Sequence, residues 1–513
     1  MTSLAFQDRL QDDPVATTGR ALASASSLAA LAGYLLLVGL SWRLAGMFEF
    51  PLDDVYIHMA MAEQIMAGGY GVNAGEFASA SSSPLFSLLL LPFAGQDAQI
   101  YVPIFWNVVG LLGAAWLWGR VVADALGRDP LSWGIALAGP LALNISGLAF
   151  AGMEHTLHVW ATMAVVRGIQ LEARGDEGLW LIVPAVILGP LLRFEGLAVS
   201  AAAIMFLMLH GRMRLALVLG LATLLPLILY MAFLKSLGLS ALPNSVLAKL
   251  GGQPWLRPYR FWAIPGLIGL AWSLTQLIRL PRGSKLWTTY AVLAPALFAF
   301  SGHCLLGQFG WMNRYEIYAL FFLFAMGVLV LGYVAASSRM RLVLLLVLLF
   351  LGQEYWKDTM LRGVVSPRAV SLQQAQMARF AKEYVQAPVA VNDLGYVVWR
   401  NPNYVLDLWG LASKDALAIR KSDPAPHWAG PLADQTGVEL AMIYEAWLYE
   451  AVGENWVKLG DLVLDVSNGI IAQSRVAFYA TSPEHVAPLG AKLDEFVPTL
   501  PEGAHFEFAE GAQ

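Results

Sequence analysis

Two adjacent carboxylates, Asp53 and Asp54, stand a few residues beyond the first long apolar segment of the chain. Carboxylates are costly to remove from water, so a pair beside a membrane span either faces solvent or serves a polar site at the bilayer surface. A helix that begins here could use one carboxylate as its N-cap, but the other, about 100° around the helix, would still need a role. The pair is therefore a candidate for general-base chemistry.

The acidic pair could bind a metal ion only if further metal-ligating side chains lie near it. His58 lies one turn from Asp54, at the spacing that lets side chains on a helix meet, although an ordinary interfacial histidine is the alternative. A divalent cation could bind between the pair and another acid, because hard cations take several oxygen ligands. Since the sequence offers too few further ligands, no metal site is predicted and no cofactor is required.

The composition places these residues in an integral membrane protein. The 513 residues are 58% hydrophobic and 13% charged, whereas ordinary soluble domains average roughly 45–50% and 25%. A formal net charge of −5, without a basic cluster, excludes nucleic acid as a partner. A single cysteine, Cys304, excludes an internal disulfide and a cysteine-based metal site.

Apolar segments long enough to cross a bilayer follow one another up to about residue 355. About 20 residues are needed to cross ~30 Å of hydrocarbon. By that rule we expect a polytopic α-helical membrane protein with about eleven transmembrane helices, at 22–46, 101–122, 131–152, 154–171, 178–193, 197–211, 214–234, 261–280, 286–304, 316–336 and 340–355.

Positively charged residues between these segments predict their orientation. Lys and Arg near span ends favour the cytoplasm, and they lie in five alternate loops, at 120–128, 167–174, 212–214, 279–285 and 339–341. The N-terminus belongs with them if the first segment spans, which puts the acidic pair on the outer face. The outer loops are then 47–100, 152–156, 193–196, 235–260 and 303–315.

The composition changes at about residue 354, and charges and amides become frequent. Residues 369–385 have the spacing of an amphipathic helix. Short apolar runs bounded by Gly, Asn, Asp or Pro follow, as strands of a small mixed domain would be; they lie at 388–391, 404–408, 440–444, 462–466 and 476–479. We therefore expect a transmembrane domain over 1–355 and an outer α/β domain over 356–513.

Several short motifs on the outer side carry a family resemblance. The first loop contains DDVYI at 53–57, GGYGVNAGE at 68–76 and SPLF at 83–86. The later motifs are GMEHTL at 152–157, RFEG at 193–196, LPNSVLAK at 242–249, and NDLG at 392–395 with DLWGL at 407–411. In this order they resemble the GT-C superfamily of polyprenyl-phosphate-dependent glycosyltransferases, in particular its bacterial arabinofuranosyltransferase-like branch.

The resemblance implies transfer of a monosaccharide, with arabinofuranose as the best guess, from a polyprenyl-phosphate donor to a glycan, lipid or protein acceptor. Such a reaction needs a carboxylate to take the acceptor's proton and cations to hold the leaving phosphate. Asp53 is expected to be the general base, and Asp54 to orient it or bind a sugar hydroxyl. The candidate phosphate-binding cations are Arg193, Lys249 and Arg314, each of which could instead be an interfacial anchor.

Further motif residues are expected to contact substrate, namely Tyr56, His58, Glu154, Glu195, Asn244, Asp393, Asp407 and Trp409. Ion pairing with the cations is the alternative for the two glutamates. Turn formation is the alternative for Asp393 and Asp407, and core packing for Trp409. The resemblance also implies the bacterial inner (plasma) membrane, with a cytoplasmic N-terminus and with the active site and C-terminal domain in the periplasm.

Two other classes of function compete with the enzyme. A secondary transporter or flippase of lipid-linked sugars would place broken helices at matching positions in two halves and ionisable residues near the middle of the membrane. The sequence has no matched halves, and its notable acids lie at span ends on one side. A receptor or assembly factor that binds glycan without turnover would account for the outer domain but would leave the acidic pair unexplained.

Overall fold

A computed structural model of the protein describes residues 14–250, 258–422 and 424–510. Within these residues a helix occurs at each of the eleven predicted transmembrane positions. These helices are α1 (Pro14–Ala45), α4 (Tyr101–Leu126), α5 (Pro130–Ala142) continued by α6 (Ile145–Ala151), α7 (His155–Glu172), α8 (Leu179–Leu192), α9 (Gly196–Leu209), α10 (Met213–Ser236), α12 (Ala263–Arg279), α13 (Lys285–Leu306), α14 (Ile317–Tyr333) and α15 (Ser338–Asp358).

Length and composition support membrane insertion of these helices. In the part of the chain that is described, six helical segments are long and apolar enough to cross a bilayer, namely Gly19–Ala45, Asp97–Leu126, Pro130–Ala151, Met213–Ser236, Tyr259–Arg279 and Lys285–Leu306. Three apolar helices are shorter, at Leu179–Leu192, Gly196–Leu209 and Ile317–Tyr333. The prediction of a polytopic helical membrane protein is confirmed.

The third predicted span is divided at one residue. Asn144 has a φ of +53°, in the left-handed region, between α5 and α6. Asparagine tolerates this conformation better than most residues, and the Asn144 side chain donates a hydrogen bond to Thr359 Oγ1 at 3.0 Å. The break therefore joins this span to the chain segment that leads into the C-terminal domain.

Shorter elements lie in the loops between the long helices and in the C-terminal domain. The loops predicted to be on the outer side contain α2 (Asp54–Met66), α3 (Phe86–Leu89) and α11 (Asn244–Leu250). The C-terminal helices are α16 (Ser366–Leu372), α17 (Gln374–Arg379), α18 (Gly395–Val398), α19 (Lys414–Lys421), α20 (Ala429–Thr436), α21 (Glu445–Leu448) and α22 (Pro483–Phe496). Single 3₁₀ turns occur at Asp97–Ile100, Pro258–Trp262, Tyr449–Ala451 and Val497–Thr499, and π turns at Thr359–Gly363 and Phe380–Val385.

The C-terminal domain contains one mixed sheet in the order β2-β1-β3-β5-β4-β6. Its strands are β1 (Val389–Val391), β2 (Val405–Asp407), β3 (Leu440–Ile443), β4 (Val457–Leu464), β5 (Arg475–Ala480) and β6 (Ala504–Phe508). β1 pairs in parallel with β2 and β3, with Ala390 opposite Leu406 and Ala441, whereas the other pairings are antiparallel.

The predicted small α/β domain is confirmed, although its boundary at residue 355 stays a prediction. Four predicted strands correspond to β1, β2, β3 and β5. The expected strand at 462–466 covers only the end of β4, and β6 was not predicted. The predicted helix over 369–385 is divided at Gln373, whose φ of −115° and ψ of −77° depart from helical values.

Close backbone contact holds α1 against α4. A Cβ added at Gly119 would lie 2.6 Å from Ala23 Cα and 2.9 Å from the Leu22 carbonyl oxygen. Small residues of this kind let membrane helices approach closely, because packing and not water exclusion drives their association. This contact fixes α1, the helix that leads directly into the loop containing Asp53 and Asp54.

We expect Gly119→Val to destabilise the protein by roughly 1–3 kcal/mol, the usual range for overpacking a tight contact. The matched control is Gly39→Val, because nothing lies within 4 Å of a Cβ at Gly39. Thermal unfolding in detergent measures both variants. Equal unfolding temperatures for the two would contradict the close packing of α1 on α4.

Candidate active site

The predicted outer loops meet the C-terminal domain around a single cavity of about 510 Å³. This volume is within the range of ligand-binding pockets, ~300–1,000 Å³. The lining comes from residues within 52–58, 80–82, 153, 193, 245–248, 308–315, 392–394, 409–411, 447 and 470–472. Loops that are far apart in sequence, and that were all assigned to one side of the membrane, therefore share one cavity.

Arg314 and Asp54 form an ion pair in the wall of this cavity. Arg314 Nη2 lies 2.5 Å from Asp54 Oδ2, and only 5% of Arg314 is exposed. The Arg314 Nε and Nη1 groups are buried and have no hydrogen-bond partner among the described residues. A buried guanidinium with two unpaired donors is costly unless a ligand supplies the acceptors.

The backbone before Arg314 has an unusual conformation. Trp311, Met312 and Asn313 have φ values of +50°, +65° and +53°, so three consecutive residues other than glycine are left-handed. Such residues persist only where surrounding contacts hold them, and they occur often at functional sites. Here Asn313 donates to Asp358 Oδ2 at 3.1 Å, and the turn directs Arg314 towards the cavity.

Asp53 has a different environment from its neighbour. Its carboxylate accepts the backbone N–H groups of Gly395 at 2.6 Å and Tyr396 at 2.8 Å, at the start of α18. Burial, followed by the nearby Asp393 carboxyl, raises the pKa of Asp53 well above its usual range. Asp53 therefore joins the loop after α1 to the C-terminal domain. Its assignment as the general base stays a prediction, and these contacts favour Asp54 for that role.

Asp393 lines the cavity from the C-terminal domain and belongs to a hydrogen-bond network. Its Oδ2 accepts hydrogen bonds from Gln374 Nε2 at 2.8 Å and from the Tyr444 hydroxyl at 2.7 Å. Burial raises the pKa of Asp393. The prediction that Asp393 contacts substrate remains consistent with its place in the cavity lining.

Arg193 reaches the cavity, but two carboxylates already balance its charge. It lies 2.7 Å from Glu154 Oε1 and 2.7 Å from Glu195 Oε1. His58 Nε2 lies 3.8 Å from Glu154 Oε2 and also lines the cavity. This network favours the ion-pair interpretation of Glu154 and Glu195, and it makes Arg193 a weaker candidate for phosphate binding than Arg314.

Three other candidates lie outside the cavity lining. Tyr56 is fully buried, and its ring packs 4.2 Å from that of Tyr396. Asp407 is 1% exposed, and its carboxylate accepts backbone N–H groups of the following loop. Asn244 is 2% exposed, and its backbone N–H donates to Ser79 Oγ. Direct substrate contact by these three residues stays a prediction, which their burial outside the cavity lining does not favour.

Two candidates remain, Trp409 and Lys249. Trp409 lines the cavity, and its contact with substrate stays a prediction. The side chain of Lys249 lies outside the described residues. No group of three or more His, Cys, Asp or Glu side chains that could hold a metal ion occurs in the part of the chain that is described. Binding of a divalent cation between the acids stays untested.

Sequence reasoning missed several residues that shape the site, chiefly Glu49, Tyr444 and Trp447. The loops after the parallel strands β1, β2 and β3 all reach the cavity, as the carboxyl ends of parallel strands commonly do at ligand sites. That rule could have identified Trp447, which follows β3. Glu49 carried no sequence signal, because its partner Tyr396 is distant in the chain.

The chain is similar to one family model and to two solved structures. Residues 367–479 match a family model described as a domain of unknown function, DUF8728. Two solved structures of ArnT from Cupriavidus metallidurans, apo and bound to undecaprenyl phosphate, align over 89% of this chain and 98% of theirs. The identities are 11% and 12%, and the TM-scores 0.39 and 0.40. A search of curated proteins found no match.

Glu49 is a buried acid at the contact between the two parts of the protein. It is 6% exposed, and it accepts hydrogen bonds from the Tyr396 hydroxyl at 3.2 Å and the Phe50 backbone at 3.3 Å. Burial raises the pKa of Glu49 to about 8, against the effect of these hydrogen bonds. The Glu49 carboxyl group is therefore still protonated in the folded protein at pH values at which it is ionised in the unfolded chain.

Because the folded pKa is the higher one, Glu49 should cost the protein stability as the pH rises from about 4 towards 8. We expect the free energy of unfolding of Glu49→Gln to equal that of the wild type near pH 5. At pH 8 it should be larger than that of the wild type by at least about 1 kcal/mol. Thermal unfolding at both pH values measures this, with the exposed Glu177→Gln as control. The same difference at both pH values would refute a buried, protonated Glu49.

Proposed function

We propose that the protein is a membrane glycosyltransferase of the GT-C type, which moves a monosaccharide from a polyprenyl phosphate to an acceptor. The observation that carries this proposal is Arg314, a buried cation in the cavity wall whose Nε and Nη1 nitrogens are unpaired among the described residues. Its third nitrogen is paired with Asp54. One wall therefore offers donors for an anion beside a carboxylate that can accept a proton.

A phosphate suits the unpaired donors of Arg314. A phosphate oxygen can accept a hydrogen bond from Nε or from Nη1, and hydrogen bonds to charged groups are the strong ones. Water is partly excluded from this wall, so the interaction with a leaving phosphate would be stronger than in bulk solvent. Arg193 lies nearby, and its carboxylate partners keep it from competing for the anion.

Asp54 is the better placed general base. About a third of its side chain is exposed (32%), and it lines the cavity beside Arg314. In the proposed step Asp54 takes the proton of an acceptor hydroxyl while that oxygen bonds to the anomeric carbon. The bond from that carbon to the phosphate oxygen breaks, and the negative charge on the leaving polyprenyl phosphate is held by Arg314. Asp53 positions the loop through its two backbone contacts.

The finer assignments also belong to the proposal. An arabinofuranosyl donor is the best single guess, and it rests on the motif resemblance. The distribution of Lys and Arg supports a cytoplasmic N-terminus, with the cavity and the C-terminal domain in the periplasm of a bacterial inner membrane. The chemistry described needs no cofactor.

We expect Arg314→Gln to weaken binding of undecaprenyl phosphate by about tenfold or more, the usual effect of removing a charged hydrogen-bonding group. The control is Arg362→Gln, because Arg362 is 56% exposed and lies outside the cavity. Binding can be measured on purified protein in nanodiscs. Unchanged affinity in Arg314→Gln would refute a phosphate site at this residue.

We expect Asp54→Asn to lower the rate of transfer by about 10²–10⁴, the usual contribution of a general base, with undecaprenyl phosphate still bound. Asp53→Asn should lower the rate less, and should instead reduce thermal stability by weakening the contact with α18. The assay measures undecaprenyl phosphate released from an undecaprenyl-phosphoryl sugar, with the exposed Asp434→Asn as control. Full turnover in Asp54→Asn would eliminate its role as base.

A further inference from the structure

The C-terminal domain contributes an aromatic wall to the cavity. Trp409 and Trp447 both line it, and their ring centroids are 4.8 Å apart with an interplanar angle of 38°. Each is only half-buried, whereas Trp428 and Trp456 of the same domain are at least nine-tenths buried. The pair is therefore not simply part of the domain core.

Several contacts fix Trp409 in position. The buried Asp407 carboxylate accepts the backbone N–H groups of Trp409 at 2.8 Å and Ala412 at 2.7 Å. Gly410 has a φ of +86°, and a Cβ there would meet the Leu417 backbone at 2.7 Å. The Arg420 guanidinium lies 3.5 Å from the centroid of the Trp409 ring and donates to the Trp409 carbonyl. A side chain held this firmly in a cavity wall is preorganised for contact with a ligand.

Trp447 is connected to the polar groups of the same wall. Its ring meets that of Tyr444 edge-on at 5.3 Å. The Tyr444 hydroxyl bonds to Asp393, and its backbone N–H donates to Asn392 Oδ1 at 2.6 Å. Asn392 and Asp393 line the cavity beside the two tryptophans. The wall thus combines flat apolar rings with amide and carboxyl groups.

The two parts of the protein contribute different groups to the cavity. The membrane domain supplies charged groups, chiefly Asp54 and Arg314, whereas the ring pair comes from the C-terminal domain. If Arg314 takes the donor phosphate, the ring pair is left for the second substrate. A ligand that matches rings next to hydrogen-bonding groups must itself have an apolar face and polar edges.

We propose that Trp409 and Trp447 form a subsite for a saccharide ring of the acceptor, which makes the acceptor a glycan. A sugar ring presents C–H groups on its faces, which pack on aromatic rings, and hydroxyls at its edge, which suit Asn392 and Asp393. A hydrocarbon chain would make no hydrogen bond to either polar group, although both line the cavity beside the rings. This subsite rests on the proposed function, since it names the acceptor of that reaction.

The test measures binding of neutral oligosaccharides, arabinan and galactan fragments of a few residues, to the purified full-length protein with undecaprenyl phosphate present. Isothermal titration calorimetry is used, because the many tryptophans of the chain would obscure a fluorescence change. We expect Trp447→Leu to weaken oligosaccharide binding by about tenfold, in line with the loss of one aromatic contact. Trp409→Phe, which keeps a ring, should weaken it less.

The control variant is Trp428→Phe, a buried tryptophan of the same domain outside the cavity lining. It should bind oligosaccharide as the wild type does, and all three variants should bind undecaprenyl phosphate normally. The proposal is overturned if the wild type binds no oligosaccharide or if Trp447→Leu binds oligosaccharide as well as the control does. It is also overturned if the two tryptophans are needed for binding to phospholipid vesicles and not for binding to saccharides.

The proposed function can fail separately from this subsite. Loss of undecaprenyl phosphate binding in Arg314→Gln, with saccharide binding intact, would show that the two sites are distinct. A wild type that binds saccharide but no undecaprenyl phosphate would overturn the proposed function alone.

Discussion

The buried charge of Arg314 is the constraint on which the cavity depends. A guanidinium removed from water needs acceptors for its donors, and Asp54 supplies an acceptor for only one of its three nitrogens. The second buried arginine of the cavity, Arg193, is in the opposite state, because two carboxylates pair with it. An anionic ligand therefore fits beside Arg314, which has unpaired donors, and not beside Arg193, whose charge is already balanced.

The position of the C-terminal domain follows from its contacts with α2 and with Asp53, the residue before this helix. Asp53 accepts two backbone N–H groups at the start of α18, and Tyr56 packs against Tyr396 one turn further along α2. Arg400 adds ion pairs to Glu63 and Asp97. One short helix therefore presents Asp54 to the cavity and its neighbouring side chains to the domain that closes it. This arrangement explains why two adjacent carboxylates are present, since they serve different partners.

Much of the architecture could be predicted because it depends on local pattern. The eleven apolar segments became helices at the expected places, and charge near their ends grouped the loops that meet at the cavity. Roles of individual residues were harder to predict, because the partner of each lies far away in the sequence. Arg314 is 260 residues from Asp54, and Asp53 is 342 residues from Gly395. Asp407 looked like a ligand by its motif, but its carboxylate organises the loop that carries Trp409.

The proposed binding of a phosphate by Arg314 is tested most directly by an experimental structure with undecaprenyl phosphate bound. We expect a phosphate oxygen within hydrogen-bond distance of Arg314 Nε or Nη1, with Asp54 beside it and the two tryptophans in the wall of the same cavity. A phosphate bound elsewhere, with both Arg314 nitrogens still unpaired in the bound state, would contradict it.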